Sequence, residues 1–392
     1  MTEQTPRTSK LITVLMPVVL ICIWIAVGHL QPRKSDNSQE MDVVKQFGPS
    51  TNIEIAHLSS IQKDLNHTIA YKLVTELPAT PALMPRTDGS LRHGPVYGPF
   101  GYAVDENHAV YIGDVAADGG ISVLRTNWQG KLTEKYRVTK HRYGGVSGAM
   151  GVFQNKLSAA LPAMPRILTW TIGATQQPKS TESIEYPGGS VPHSVDALWS
   201  TPDGLYALIG IGSGGYHADN QVFGWFSPSG GFHAMDLSNL VSLPGLLGRV
   251  VVTTDGMTLI ADVVRPRLDN FWSITSFYAP HRSLVRCIVP APPGFVILSA
   301  SPIGQDIKGN SYSVVELVNV TPSHMSEISR TLWRTDYSSA RLLGTLAPFN
   351  TAGLRDQSLC VEPDGNIYCV GPMPAWGVPS SLVHFGLYQL AL

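Results

Sequence analysis

The chain has 392 residues, enough to bury one large core or two or three smaller ones. Only 15% of them are charged, and 37 glycines and 29 prolines punctuate the rest, which excludes a disordered chain and reads as turn-rich and globular. A formal net charge of −1, with no long basic run, excludes a phosphate-tracking surface and leaves no basis for nucleic-acid binding.

In chain order, the first feature is Leu11 to Leu30, LITVLMPVVLICIWIAVGHL, 20 residues without a charge. As a helix this run would rise about 30 Å, the thickness of a hydrocarbon core. Arg7 and Lys10 precede it and Arg33 and Lys34 follow, so the flanking charges nearly balance. With the bulk of the chain beyond the run, the natural reading is a signal anchor. Residues 1–10 form a cytoplasmic tail, 11–30 a transmembrane helix, and the rest lies on the extracytoplasmic side, periplasmic or extracellular. A cleaved signal peptide competes with this, because Ala26 and Gly28 place small residues where a signal peptidase reads. The run exceeds a usual signal core, which favours retention. Residues 31–66 are polar and lack strand alternation until Ile53; they read as a tether with room for a short helix around Ile53–Leu65.

From residue 67 to 392 short runs of Val, Ile, Leu, Tyr and Phe alternate with Gly, Pro, Asp, Asn and Ser clusters, an all-β pattern. Six hairpins recur: Gly101–Asp114, Ala149–Leu161, Asp196–Gly210, Arg249–Asp262, Phe295–Leu317 and Ser358–Gly371. Their turns fall near 106, 155, 203, 255, 305 and 364, steps of about fifty residues, the length of one four-stranded propeller blade. A second hairpin follows each of the first five: Ile121–Val138, Arg166–Tyr186, Gln221–Asp236, Phe271–Val289 and Glu327–Ala347. Trp128, Trp170, Trp225, Trp272 and Trp333 lie in or just past the third strands, where a large side chain packs between sheets. The sixth unit has strands at 358–362, 367–371 and 382–390 only. The fourth is expected from Thr68–Leu77, TIAYKLVTEL, an extended run with no partner of its own. Closure by that strand would complete a six-bladed β-propeller and hide two edges.

Cys360 and Cys369 bracket Pro-Asp-Gly-Asn in the last hairpin, CVEPDGNIYC. A two-residue Asp364-Gly365 loop sets the two cysteines opposite each other, close enough for a disulfide in an oxidising space. A three-residue loop shifts the register and separates them, leaving two buried thiols. Gly210-Ile-Gly-Ser-Gly-Gly215 matches a nucleotide-binding glycine pattern but lacks the helix that gives the pattern meaning, and reads as a loop.

The stretch GYAVDENHAVYIGD…ISVLRTNWQGKL resembles the blades of NHL-repeat and gluconolactonase-like six-bladed propellers. The likeness is good in the first blade, partial in those at 196, 249 and 358, and poor at 149 and 295. It implies that first strands line the channel, that one face carries the tight turns, and that the other carries the longer loops and the site. On that loop face His93, His217, Arg265, Arg355 and Trp376 are the binding candidates. The resemblance also implies His193, in VPHSVDAL before a channel strand, as a catalytic base or ligand. Asp114 and Asp262, at matching ends of second strands, are then oxygen ligands for calcium or another divalent cation. A shared fold transfers no reaction by itself. The leading expectation is therefore a membrane-tethered propeller that binds a protein, carbohydrate or cell-envelope component through its loop face. The alternative is a lactonase-like hydrolase or lyase.

Overall fold

In the computed structural model the described residues are the strands and tight turns between Asn52 and Leu392. Residues 1–51 and the segments 59–63, 78–79, 82–100, 116–120, 140–148, 161–165, 172–181, 184–192, 212–220, 228–230, 238–239, 242–245, 265–270, 279–283, 322–323, 348–358 and 373–381, with a few single positions, lie outside them. The apolar run 11–30, expected as a transmembrane anchor, is among the latter. No helix of the described residues is long and apolar enough to cross a membrane.

The described chain is all β. Five strands come first: β1 (Asn52–Ile55), β2 (His57–Leu58), β3 (Thr68–Ile69), β4 (Tyr71–Glu76) and β5 (Thr80–Pro81). Blade 1 follows as β6 (Gly101–Val104), β7 (Val110–Val115), β8 (Ile121–Thr126) and β9 (Leu132–Thr139). Blade 2 is β10 (Ala149–Phe153), β11 (Lys156–Ala160), β12 (Arg166–Thr171) and β13 (Glu182–Ser183). Blade 3 is β14 (His193–Thr201), β15 (Gly204–Ile211), β16 (Gln221–Phe226) and β17 (Phe232–Met235). Blade 4 is β18 (Val250–Val252), β19 (Met257–Val264), β20 (Phe271–Tyr278) and β21 (Val285–Pro290). Blade 5 is β22 (Phe295–Gln305), β23 (Ser311–Thr321), β24 (His324–Thr335) and β25 (Ser339–Leu346). Blade 6 is β26 (Leu359–Val361), β27 (Ile367–Pro372) and β29 (Phe385–Leu390), with β28 (Leu382–Val383) paired to β5. Each blade is an antiparallel meander, and β4 is the fourth strand of blade 6, antiparallel to β29. The expected closure from Thr68–Leu77 is thus present, and the result is a six-bladed propeller.

Six apolar clusters explain why the sheets form a ring. Tyr111 and Val123 of blade 1 pack with Val152 and Leu157 of blade 2; Ala160 and Ile167 pack with Val195 and Phe226. Leu208 and Phe223 pack with Val252 and Ile260, and Trp272 and Val289 with Val315 and Trp333. Val314 and Leu332 pack with Leu359 and Ile367. The sixth cluster joins Val370 and Leu387 of blade 6 to Val110, Ile112 and Leu124 of blade 1, with Leu77 between them. Strand alternation gives every blade two apolar faces, and each face is consumed by a neighbour. Trp170, Trp272 and Trp333 are buried as expected. The last two meet edge to face with centroids 6.1 Å apart, a favoured aromatic geometry; Trp225 is partly buried against the cluster between blades 3 and 4, and Trp128 lies outside the described residues.

The segment expected as a tether behaves differently at its end. Asn52–Ile55 and His57–Leu58 are strands rather than helix, running parallel to the outer strands β21 and β25. The alternation of Ile53 and Ile55 with polar neighbours suits an edge position, and the open ladders of blades 4 and 5 supply the hydrogen bonds.

On the tight-turn face a carboxylate lock recurs. In blade 1 Asp105 Oδ1 accepts the N–H groups of Asn107 and Ala109 at 2.9 Å, and Oδ2 accepts the Tyr111 hydroxyl at 3.2 Å. In blade 5 Asp306 does the same with Lys308, Asn310 and Tyr312. Burial, then the facing carboxylate, raises the hydroxyl pKa of Tyr111 and Tyr312 above the usual value. These turns are structural: their acceptor atoms are used within the turn.

The last hairpin corrects the disulfide expectation. Glu362 N–H donates to Asn366 O and Gly365 N–H to Glu362 O, with Gly365 at φ +89, so the loop has three residues, the third left-handed. Cys369 then faces Leu359, and Cys360 faces Tyr368; neither is disulfide-bonded. Burial pushes the Cys360 thiol up to about 12. Alkylation of unreduced, denatured protein followed by peptide mapping should therefore label Cys287, Cys360 and Cys369. A Cys360–Cys369 bridged peptide would contradict the register.

The closing strand also touches blade 1. Thr75 Oγ1 donates to Gln129 O at 2.6 Å, and a Cβ on Gly130 would sit 2.3 Å from Glu76 O. Gly130 (φ +78) and Gly309 (φ +85) share a left-handed backbone, but nothing lies within 4 Å of a Cβ on Gly309. Gly309→Ala should cost about 1 kcal/mol, the conformational penalty alone. Gly130→Ala should cost about 3 kcal/mol, because strand and turn must also part. Equilibrium urea unfolding measures both; equal losses would contradict this seam.

Candidate functional site

The described polar groups that converge at the loop end lie between blades 3 and 4. They begin with an irregularity in the channel strand of blade 3. In β14 the ladder to β15 skips from Val195 to Ala197, making Asp196 the extra residue of a β-bulge. Val195 belongs to the cluster facing blade 2 and Ala197 to the one facing blade 4. Such bulges re-aim side chains. Asp196 Oδ2 accepts a hydrogen bond from Gln221 Nε2 at 2.6 Å, and Gln221 Oε1 accepts the Leu246 N–H at 2.8 Å. One amide therefore joins the channel strand to the chain that links the blades.

The described residues of that link are anchored by apolar side chains. Leu237 is buried between blades 3 and 4, with Leu240, Val241 and Leu246 packed against the same cluster. Arg286 Nη2 donates to Leu240 O at 2.9 Å, and Arg249 N–H donates to Leu246 O at 2.9 Å. The Arg249 side chain turns to Asp262, Nη1 to Oδ1 3.0 Å. Asp262 is buried at 2% exposure, while the Arg249 side chain keeps 22%, so the pair sits at the lip of a buried region. Burial lowers the Arg286 pKa to about 10, opposed by the attraction of Asp262. Strand parity places Ser273, directly opposite Asp262, and Thr275, directly opposite Arg286, on this same face.

The placement of the expected residues follows. Asp262 is in the cluster, but its surroundings do not fit a divalent cation: Arg249 occupies one carboxylate oxygen, and Arg286 adds a second positive charge nearby. Asp114 lies in β7 opposite Ser122, and His193 opens β14 opposite Ile211; the side chains of both are outside the described residues, as are His93, His217, Arg265, Arg355 and Trp376 altogether. Among the described residues no group of three or more His, Cys, Asp or Glu is arranged to hold a metal. Asp196, Gln221, Arg249 and Arg286 were not singled out from the sequence. One signal for Arg249 was present: it opens the hairpin RVVVTTDGMTLIAD that Asp262 closes, although the register sets Arg249 opposite Ala261, one residue before Asp262.

No family profile matches the sequence, and no curated protein does. Among solved structures, the chain is similar to a putative 6-phosphogluconolactonase from Bacteroides fragilis, with 13% identity over 76% of this chain and 91% of that one, at a TM-score of 0.40. A periplasmic gluconolactonase from Pseudomonas aeruginosa is 11% identical over 82% of this chain and 99% of its own, TM-score 0.35. Apo AztD from Citrobacter koseri is 13% identical over 78% and 90%, TM-score 0.36. At such identities and scores the ring rests on this chain's own ladders and clusters.

Removing Asp262 takes away the carboxylate that Arg249 binds and whose charge attracts Arg286. Asp262→Ala should lower stability by about 3 kcal/mol, whereas Arg249→Ala, which leaves Arg286 beside the carboxylate, should lower it by about 1 kcal/mol. Denaturant unfolding of the two variants checks the order, and the reverse order would contradict the shared-carboxylate arrangement.

Proposed function

We propose that the chain is a membrane-tethered, extracytoplasmic propeller that binds a protein, glycan or envelope component through its loop face. The observation that carries this reading is the difference between the two ends of the ring. At the tight-turn end Asp105 and Asp306 spend their acceptors on their own turns. At the loop end of blades 3 and 4, Gln221 instead ties a long connection to the channel strand of blade 3, and Arg249 ties the end of that connection to the second strand of blade 4. A rigid scaffold that fixes loops is what a recognition surface requires. The apolar run 11–30 supports the tether, and the exported setting follows from it.

A lactonase-like hydrolase or lyase is the second reading. It is favoured by His193 opening the strand whose bulge at Asp196 feeds the same network; bulges are enriched beside active sites.

Full-length protein in detergent, applied to an array of envelope glycans and assayed in parallel for gluconolactone hydrolysis, separates the two. The binding reading predicts saturable retention, weakened about tenfold by Arg249→Ala and unchanged by Lys308→Ala on the opposite face. Lactone turnover that disappears in His193→Ala would overturn it in favour of the enzyme.

A further inference from the structure

We infer that the propeller sits with its tight-turn end against the bilayer and its loop face turned away, with Ile307 reaching the lipid interface. The inference rests on the tethered reading above and names the side from which a loop-face partner comes.

The register of the first strands carries it. In a four-strand meander whose first hairpin turns at the tight-turn end, the fourth strand starts at that same end. β1 runs parallel to the fourth strand of blade 4, with Asn52 beside Val285, the residue that opens β21. The chain ahead of Asn52 therefore arrives from the tight-turn end. β2 repeats this on blade 5, where His57 and Leu58 lie beside Ser339 and Ala340 at the start of β25. Residues 31–51 separate this entry from the apolar run 11–30. A coil of that length spans about 25 Å. The 11 residues of β22 rise about 35 Å, so the tether presents the near end of the ring to the membrane more readily than the far end.

The same end carries an apolar tip. One five-residue turn recurs in blades 1, 4, 5 and 6: the N–H groups of Asp105, Thr253, Asp306 and Glu362 donate to the carbonyls of Ala109, Met257, Asn310 and Asn366 respectively. The second residue of the turn is Glu106, Thr254, Ile307 and Pro363. Of these four, blade 5 alone puts a large branched apolar side chain there. Ile307 is 82% exposed, the most exposed large apolar residue among those described. Its backbone is fixed, because its N–H donates to Pro363 O at 2.9 Å and Asp306 locks the turn around it. Lys308 is exposed next to it. An isoleucine held out in water beside a lysine adds nothing to the turn. It suits a bilayer interface, where the apolar group leaves water and the ammonium meets lipid phosphates. One such tip binds weakly alone, and the tether supplies the local concentration that makes it count. A loop-face partner then approaches from the side away from the membrane, as a soluble or distal envelope component.

The test uses full-length protein in phosphatidylcholine–phosphatidylglycerol vesicles, with and without lipid spin-labelled near the headgroup. An NBD fluorophore is attached at Ile307→Cys or at Ile328→Cys. Ile328 is also exposed, at 57%, but lies opposite Val318 in the loop-end half of β24. Parent protein labelled in parallel gives the background from the native cysteines. The spin-labelled lipid should about halve the emission at position 307 and leave position 328 unchanged. Lys308→Cys should behave like Ile307→Cys and stands in for it should that variant fold poorly. Equal quenching at the two ends, quenching at 328 alone, or none at either in protein that floats with the vesicles overturns the orientation and leaves the tether standing. A blue shift at 307 without lipid quenching indicates a protein neighbour or a second copy there and overturns it as well. Protein that does not float with the vesicles overturns the tether, and this inference with it.

Discussion

A ring of sheets is held together only by what lies between the sheets, and here that is six wedges of apolar side chains. Hydrogen bonding within a blade is indifferent to whether the blades form a circle. Closure depends on the wedge between blades 6 and 1, where Leu77 is buried with Val110, Ile112, Val370 and Leu387. Ten residues reach that point after securing two other blades. Thr68 and Ile69 run beside Thr345 and Leu346 of blade 5, Ile69 is buried between blades 5 and 6, and Tyr71–Glu76 completes blade 6. A short strand thus gathers burial from three blades, and the entropy lost in closing a long loop is offset at several places at once.

The same N-terminal segment deals with exposed edges. The outer strands of blades 4 and 5 are covered by β1, β2 and β3. The outer strands of blades 6 and 1, at the sheet edge among the described residues, carry register irregularities, at Val74 in β4 and at two places along β9. Blades 2 and 3 end in strands of two and four residues. Covering, bulging and shortening all deny a neighbouring chain a flat ladder, so the described outer strands offer little to edge pairing.

Much of this was legible in the sequence, because period and alternation are direct consequences of blade geometry. The fifty-residue step located all six hairpins, and the partnerless run TIAYKLVTEL was identified as the missing strand for the same reason. What escaped was decided by single side chains. Pro-Asp-Gly occurs in both blades 3 and 6, yet in blade 3 Thr201 pairs directly with Gly204 across a two-residue turn, its hydroxyl bonding Gly204 O. In blade 6 Asp364 instead captures the N–H and amide of Asn366, and the loop grows by one residue. That one residue separates Cys360 from Cys369. At the candidate site Asp262 was visible as an acid at a strand end, but its partner Arg249, set opposite Ala261 by the register, reaches it through its side chain. The bulge at Asp196, which turns that residue toward blade 4, leaves no mark in the periodicity.

The polar network between blades 3 and 4 draws its members from two blades and the connection between them, and the packing of those blades belongs to the same ring of clusters that Thr68–Leu77 closes. Closure is accordingly the claim on which the remainder depends. Hydrogen exchange on the full-length protein lacking only Thr68–Leu77 tests it most directly. The account predicts cooperative loss of amide protection in every blade, including β15 and β19, far from the deletion. Loss confined to β25 and β29, the strands that Thr68–Glu76 pairs with, would show that the ring stands without its clasp.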